Sequence, residues 1–230
     1  MAATPENDKL TINERLNEFI QKNRKGLFVG FAAIIVVLAG FIIVSTVREK
    51  IRENAFSQID AFERRYEELM FHTGGGDSGA LSSQADISAL LDDLAVFERK
   101  NSGFAAARAY SISASIYGDH ERWAEAEKAW SLAAKASAKS YLAPISLYNA
   151  AVVAEEQGNT ASAIGLYAQA LAYGDVFPAA IRAQFSIGRL HESQNNRGAA
   201  LEAYRSLVSR WPNDQFWTNL AQNRIIVLGD

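Results

Sequence analysis

A triplet of small, aromatic and small or apolar residues occurs three times at one fixed interval, and nothing else in the chain narrows its fold as far. Ala126, Trp130 and Ala133 are followed 37 residues later by Ala163, Tyr167 and Ala170, and after the same interval by Ala200, Tyr204 and Leu207. Members of each triplet stand three or four residues apart, so they share one face of a helix. A period of about 20–50 residues marks an array whose units bury their apolar faces against one another. The frame around each triplet repeats as well. A small residue lies upstream (Ala114, Ala151, Gly188), a polar turn follows it (residues 119–122, 157–160 and 194–197), and Pro178 and Pro212 close the second and third units. Ala dominates the C-terminal half, which suits close-packed helices because Ala has the best helix propensity and lets axes approach.

These residues resemble the tetratricopeptide repeat. The resemblance implies two antiparallel helices per unit, with a small residue on the first helix admitting the second. The second helix carries Ala, an aromatic one turn on, then Ala, and Pro ends it. Gly188, Ala200, Tyr204 and Pro212 of the third unit fall at the family's spacing. The interval exceeds the usual repeat by about three residues, so extended turns between units are expected. The resemblance covers residues 107–212. Residues 214–228, with Phe216, Trp217, Leu220, Ile225 and Val227, read as the terminal capping helix that a solenoid requires.

A second feature stands near the N-terminus. Residues 27–47, LFVGFAAIIVVLAGFIIVSTV, contain no charge. At about 1.5 Å per residue they reach roughly 31 Å, close to the hydrocarbon thickness of a bilayer. A transmembrane helix is therefore expected in preference to a buried core helix. A cleaved signal is disfavoured because no small-x-small site follows Val47 and the preceding stretch is long for a signal n-region. Charge leaves the orientation open: Lys9, Arg15, Lys22, Arg24 and Lys25 precede the segment, and Arg48, Lys50, Arg52, Arg64 and Arg65 follow it. Gly26 and Gly30 form a small-xxx-small pair that fits either a helix-dimer face or ordinary glycine usage in membrane helices.

The expected architecture is all-α: a single N-terminal transmembrane helix followed by a tetratricopeptide-repeat-like α-solenoid. Residues 1–26 form a tail with a short amphipathic helix, since Thr11 and Glu14 have capping-box spacing and Leu16, Phe19 and Ile20 share a face. Residues 48–104 form membrane-proximal helices. Within them Ile51, Ala55, Ile59, Phe62, Tyr66, Leu69 and Met70 make one stripe, and residues 86–99 a second helix with Ile87, Leu90, Leu91, Leu94 and Phe97 on one side. Between them, 73–84 is expected to be a flexible Gly-rich loop; no Lys-Ser/Thr follows its glycines, so it is no phosphate cradle. Residues 105–230 form the repeat domain with its capping helix.

Catalysis is not expected. The chain has no Cys, its His72, His120 and His191 are far apart, and neither a metal nor any other cofactor is implied. Adjacent acids such as Glu155–Glu156 diverge by about 100° on a helix and read as solvated faces. A net charge of −3 offers no basic field for nucleic acid. A small-molecule substrate is likewise not expected. What remains is a protein-binding groove lined by the first helix of each unit. Its candidates are Arg108, Ser111 and Ser115; Tyr148, Asn149, Val152 and Glu155; and Arg182, Phe185 and Arg189. Tyr148 and Phe185 would give apolar contact while arginines hold carboxylates or carbonyls. As groove residues outside the core, Tyr148, Phe185, Arg182 and Arg189 are expected to tolerate Ala without loss of the fold. A carboxylate clamp for acidic chaperone tails does not fit, because only Asn149 and Arg182 could serve it.

The layout as a whole, with RLNEFIQKNRKG leading into one membrane helix, then an apolar helix, a partial unit and repeats, resembles the bacterial YfgM-like family. Those proteins are ancillary subunits of the SecYEG translocon. The resemblance implies a single-pass inner-membrane protein with a cytoplasmic tail and periplasmic repeats. Its partners would be the translocon, periplasmic chaperones or emerging client chains, with residues 27–47 in lipid. An envelope or cell-division scaffold, and a cytosol-facing adaptor of inverted topology, stay open beside it.

Overall fold

The computed structural model describes residues 12–72 and 77–229. Among them the chain is helical: α1 (Ile12–His72), α2 (Asp77–Lys100), α3 (Gly103–Asp119), α4 (Trp123–Ala136), α5 (Leu142–Glu156), α6 (Thr160–Leu171), a 3₁₀ turn at Gly174–Val176, α7 (Ala180–Ser193), α8 (Arg197–Arg210) and α9 (Gln215–Gly229). The fold is all-α, with the long apolar helix first and a tetratricopeptide-like solenoid after it. The chain divides into two units, Met1–Asn54 and Ala55–Asp230.

The first unit holds the apolar stretch, which is long and apolar enough to cross a membrane. Its side chains are uncovered: Phe28, Val36 and Phe41 are each at least 70% exposed. Ser45 and Thr46 return their hydroxyls to the Ile42 carbonyl at 2.9 Å, which leaves neither polar group unmet in an apolar medium. The tail expected to carry a separate amphipathic helix instead continues α1 from Ile12 onward, with Leu16, Phe19 and Ile20 all exposed; Thr11 lies outside the described residues.

In the second unit the stripe behind the apolar stretch packs from Ala55 to Leu69, whereas its two ends, Ile51 and Met70, are exposed. Ala55 and Ile59 are buried with Ile87, Leu90, Leu94 and Phe97 of α2 and Ala105, Ala109, Ile112 and Ile116 of α3, and Phe62, Tyr66 and Leu69 pack against them. Phe62 meets Phe97 edge-on at 5.7 Å. α2 begins at Asp77, inside the expected loop 73–84, of which 73–76 lie outside the described residues. Past the Gly run, Ala80, Leu81, Gln84 and Ala85 favour helix over coil.

The period of the sequence is the period of the structure. Ala126 on α4, Ala163 on α6 and Ala200 on α8 are each wholly buried, as are Ala133, Ala170 and Leu207 one face-turn later. The turn between the two helices of each unit repeats too. Glu121, Gly158 and Asn195 stand 37 residues apart and all adopt positive φ, at 56°, 70° and 58°. Asn159 and Asn196 then cap α6 and α8, accepting from Ser162 N–H at 3.2 Å and Ala199 N–H at 3.3 Å. Gly188 answers a steric demand, because a Cβ there would lie 2.5 Å from Cε1 of Tyr204.

α9 spans the residues expected as the terminal helix and differs from a usual cap on one face. Its inner face packs Ala221, Trp217, Ile225 and Leu228 on α8. Its outer face is apolar where a solenoid end is normally polar: Phe216 is 70% exposed, with Ile226 and Val227 nearly as open.

Candidate protein-binding groove

The first helices of the units, α3, α5 and α7, carry every groove residue expected from the sequence. Val152 is 37% exposed, Arg182 is exposed, and Tyr148 and Asn149 are half-buried. The cations and aromatics, however, are already engaged. Arg108 donates to both carboxylate oxygens of Glu63, at 3.2 and 2.5 Å, and to Asp60 at 3.2 Å, tying α3 to α1. Arg189 is ion-paired with Glu155. Arg182 lies over the Tyr148 ring, 5.6 Å from its centroid.

Tyr148 and Phe185 are structural as well as accessible. Tyr148 packs against Tyr167 at 5.3 Å and Phe177 at 6.0 Å. Phe185, one period later, packs against Tyr204 and Trp217, both at 5.3 Å. Each ring therefore belongs to a repeated aromatic cluster. The expectation that Ala would be tolerated at both is corrected: truncation removes aromatic packing, at about 3–5 kcal/mol for a buried ring and less for these half-buried ones.

A polar device also repeats. Tyr167 of α6 donates to Glu155 of α5 at 2.7 Å, and Glu155 receives Arg189 of α7. One period on, Tyr204 of α8 donates to Glu192 of α7 at 3.1 Å, and Glu192 receives Arg224 of α9. Each carboxylate thus joins the two helices of its own unit to the helix that follows, α7 for Glu155 and α9 for Glu192. Burial, and then the bond to Glu155, push the Tyr167 phenol far above its ordinary range; burial also pushes up that of Tyr204. Glu155 is therefore no solvated face, and it is held rather than free in the groove. The first unit lacks the device, because Gly118 and Trp130 stand at the positions of the acid and the tyrosine. Sequence reasoning missed the triad although its signal was present: Glu155 and Glu192, like Tyr167 and Tyr204, are one period apart.

An open pocket of about 460 Å³ lies where α1, α3 and α5 meet, lined by Phe104, Ile112, Tyr141 and Leu142 and by the polar side chains of Glu63, Tyr66, Arg108, Ser111 and Ser115. No periodicity marked it, because α1 lies outside the repeat. Among the described residues no three His, Cys, Asp or Glu side chains gather as a metal site would require.

This geometry defines a helical-repeat solenoid with an extended side-chain-lined face. Residues 113–175, and again 153–215, match the Tetratricopeptide repeat family model. Over residues 113–215 the chain is therefore similar to tetratricopeptide repeats. A TPR repeat-containing protein of Treponema pallidum (strain Nichols) is 28% identical over 228 residues, spanning 93% of each chain. Such coverage takes in the apolar stretch as well as the repeats. A crystal structure of TPR-like repeats from Podosopora anserina superposes with a TM-score of 0.52 at 12% identity, over 74% of this chain and 85% of that one. The likeness in fold extends beyond residues 113–215, so helices outside the sequence match continue the solenoid.

Proposed function

We propose that this chain is a membrane-anchored protein–protein interaction module. Residues 27–47 cross the bilayer, and the face lined by α3, α5 and α7 holds a segment of partner protein. The observation that carries the reading is one helix, α1, containing both an uncovered apolar stretch and residues packed into the repeat domain. Tethering a binding face to a membrane raises its effective concentration beside other membrane complexes. An extended face suits a polypeptide better than a compact ligand.

The finer reading rests on the likeness to the YfgM-like family. The tail lies in the cytoplasm, residues 105–230 lie in the periplasm of a bacterial inner membrane, and the partners are the SecYEG translocon with periplasmic chaperones or emerging chains. Val152 and Arg182 are the groove residues left most open to such a partner, with Asn149 between them; Tyr148 and Phe185 offer ring edges, and Arg108 and Arg189 shape the walls.

Two experiments test it. Protease added to spheroplasts should digest the repeats; their protection until lysis would reverse the orientation and favour a cytosol-facing adaptor. A Val152→Glu, Arg182→Glu double variant should keep its melting temperature and lose translocon or chaperone partners on co-purification from membranes. The same partners at undiminished yield would contradict the groove assignment, and recovery of envelope or division components alone would favour a scaffold.

A further inference from the structure

We infer that the pocket between α1, α3 and α5 is a subsite for an uncharged apolar or aromatic side chain of an extended polypeptide. This deepens the proposed function and rests on it.

The argument starts from charge. The cation at the pocket edge, Arg108, is held by Glu63 and Asp60, so it is not available to an incoming acid. Its side chain is 27% exposed, against 41% for Glu63, so the pair is partly screened from water. A carboxylate entering here would have to displace Glu63 from the guanidinium, leaving a half-buried acid beside it unpaired. The surplus negative charge of the cluster falls on Asp60, which is half-exposed and does not line the pocket, so a lysine entering would gain little over water. Neither sign of charge gains by binding, whereas an apolar group displaces water from apolar walls at no such cost.

The walls supply the gain. Phe104 and Tyr141 line the pocket with their rings tilted at 5.8 Å, and Phe56 backs Phe104 from outside it at 6.2 Å. Ile112 closes the floor, 6% exposed, and Tyr141 stands 60% exposed at the mouth. A volume of about 460 Å³ accepts one large side chain with flanking backbone. The walls come from first helices, α3 and α5, and from α1 in front of them, so a chain lying along the groove passes over the pocket.

The test uses the full-length chain in nanodiscs and a panel of fluorescein-labelled octapeptides. All share a Ser-, Gly- and Asn-based sequence and differ at one central residue: Phe, Leu, Gly, Glu or Lys. The Phe and Leu peptides should bind at least tenfold more tightly than the Gly, Glu and Lys peptides. Tyr141→Lys, at an exposed position, and Ser115→Phe, which fills the pocket, should each erase that preference without lowering the melting temperature. A Glu or Lys peptide binding as well as Phe would overturn the inference, as would a Phe preference that survives both variants. Free indole or toluene competing as strongly as the Phe peptide would instead make this a small-molecule site. A photo-crosslinking residue at Asn149, in the second unit's part of the groove, separates this failure from that of the broader reading. Protein adducts at Asn149 with no peptide preference at the pocket would sink the subsite alone, and the absence of both would sink the two together.

Discussion

At the scale of single residues, the repeat is held by pairs that the 37-residue interval places twice. The Tyr167–Glu155–Arg189 and Tyr204–Glu192–Arg224 triads make the tyrosine hydroxyl an obligatory donor in the folded state. A phenol whose folded value is raised contributes stability below its unfolded value, about 10, and loses it as pH rises toward the folded value. The unfolded chain releases the proton first, so stability falls with increasing pH. Chemical denaturation of wild type should therefore show stability declining between about pH 9 and 11, and Tyr167→Phe should flatten part of that decline; equal slopes would mean that the folded chain does not raise the Tyr167 phenol, contradicting its burial against Glu155. Gly188 provides a second case. Its missing side chain is where the Tyr204 ring lies, so Gly188→Val should cost about 1–3 kcal/mol by overpacking, read from the denaturation midpoint. The same substitution at Gly165, with open space around it, should cost much less.

At the scale of elements, each helix-to-helix turn within a unit places one residue in the left-handed region. The unit with Gly158 meets this freely and that with Asn195 nearly so, but Glu121 bears a Cβ there. Glu121→Gly should raise the melting temperature, the relief being about 1 kcal/mol; a fall would show that contacts of the Glu121 side chain outweigh its backbone cost. Much of this level was legible in the sequence. The triplets fixed which face of α4, α6 and α8 is buried, and the spacing of Ala55, Ile59, Phe62 and Tyr66 fixed the packed stripe of α1. The start of α2 at Asp77 was not legible, because a Gly cluster signals a break without saying where helix resumes. Nor was the outer face of α9, since Phe216 and Val227 look the same in sequence whether packed or exposed. In the groove, sequence placed Arg108, Tyr148, Phe185 and Arg189 on the right helices. It did not show that each already had a partner: the acids of Arg108 lie on α1 outside the repeat, while the partners of Tyr148, Phe185 and Arg189 recur with the period but emerge only when neighbouring helices are read together.

At the scale of the whole molecule, two of the three arginines on the proposed face are already neutralised by neighbouring acids. Arg108 and Arg189 are joined to acids of neighbouring helices, whereas Arg182 lies over the Tyr148 ring, so binding is left to aromatic edges, to Val152 and Arg182, and to the pocket beside Tyr141. Such a face discriminates weakly by charge and more strongly by apolar content, which fits a partner met as an extended chain. The central claim is that a membrane-held chain uses this face, and not another, to hold protein. Photo-crosslinking in intact membranes tests it most directly. A photoreactive residue replaces Val152 on the first helix of the second unit in one variant and exposed Glu202 on the second helix of the third unit in another. Protein adducts should form from position 152 and be lost after Arg182→Glu, while position 202 stays silent; adducts from position 202 with none from 152 would contradict the account.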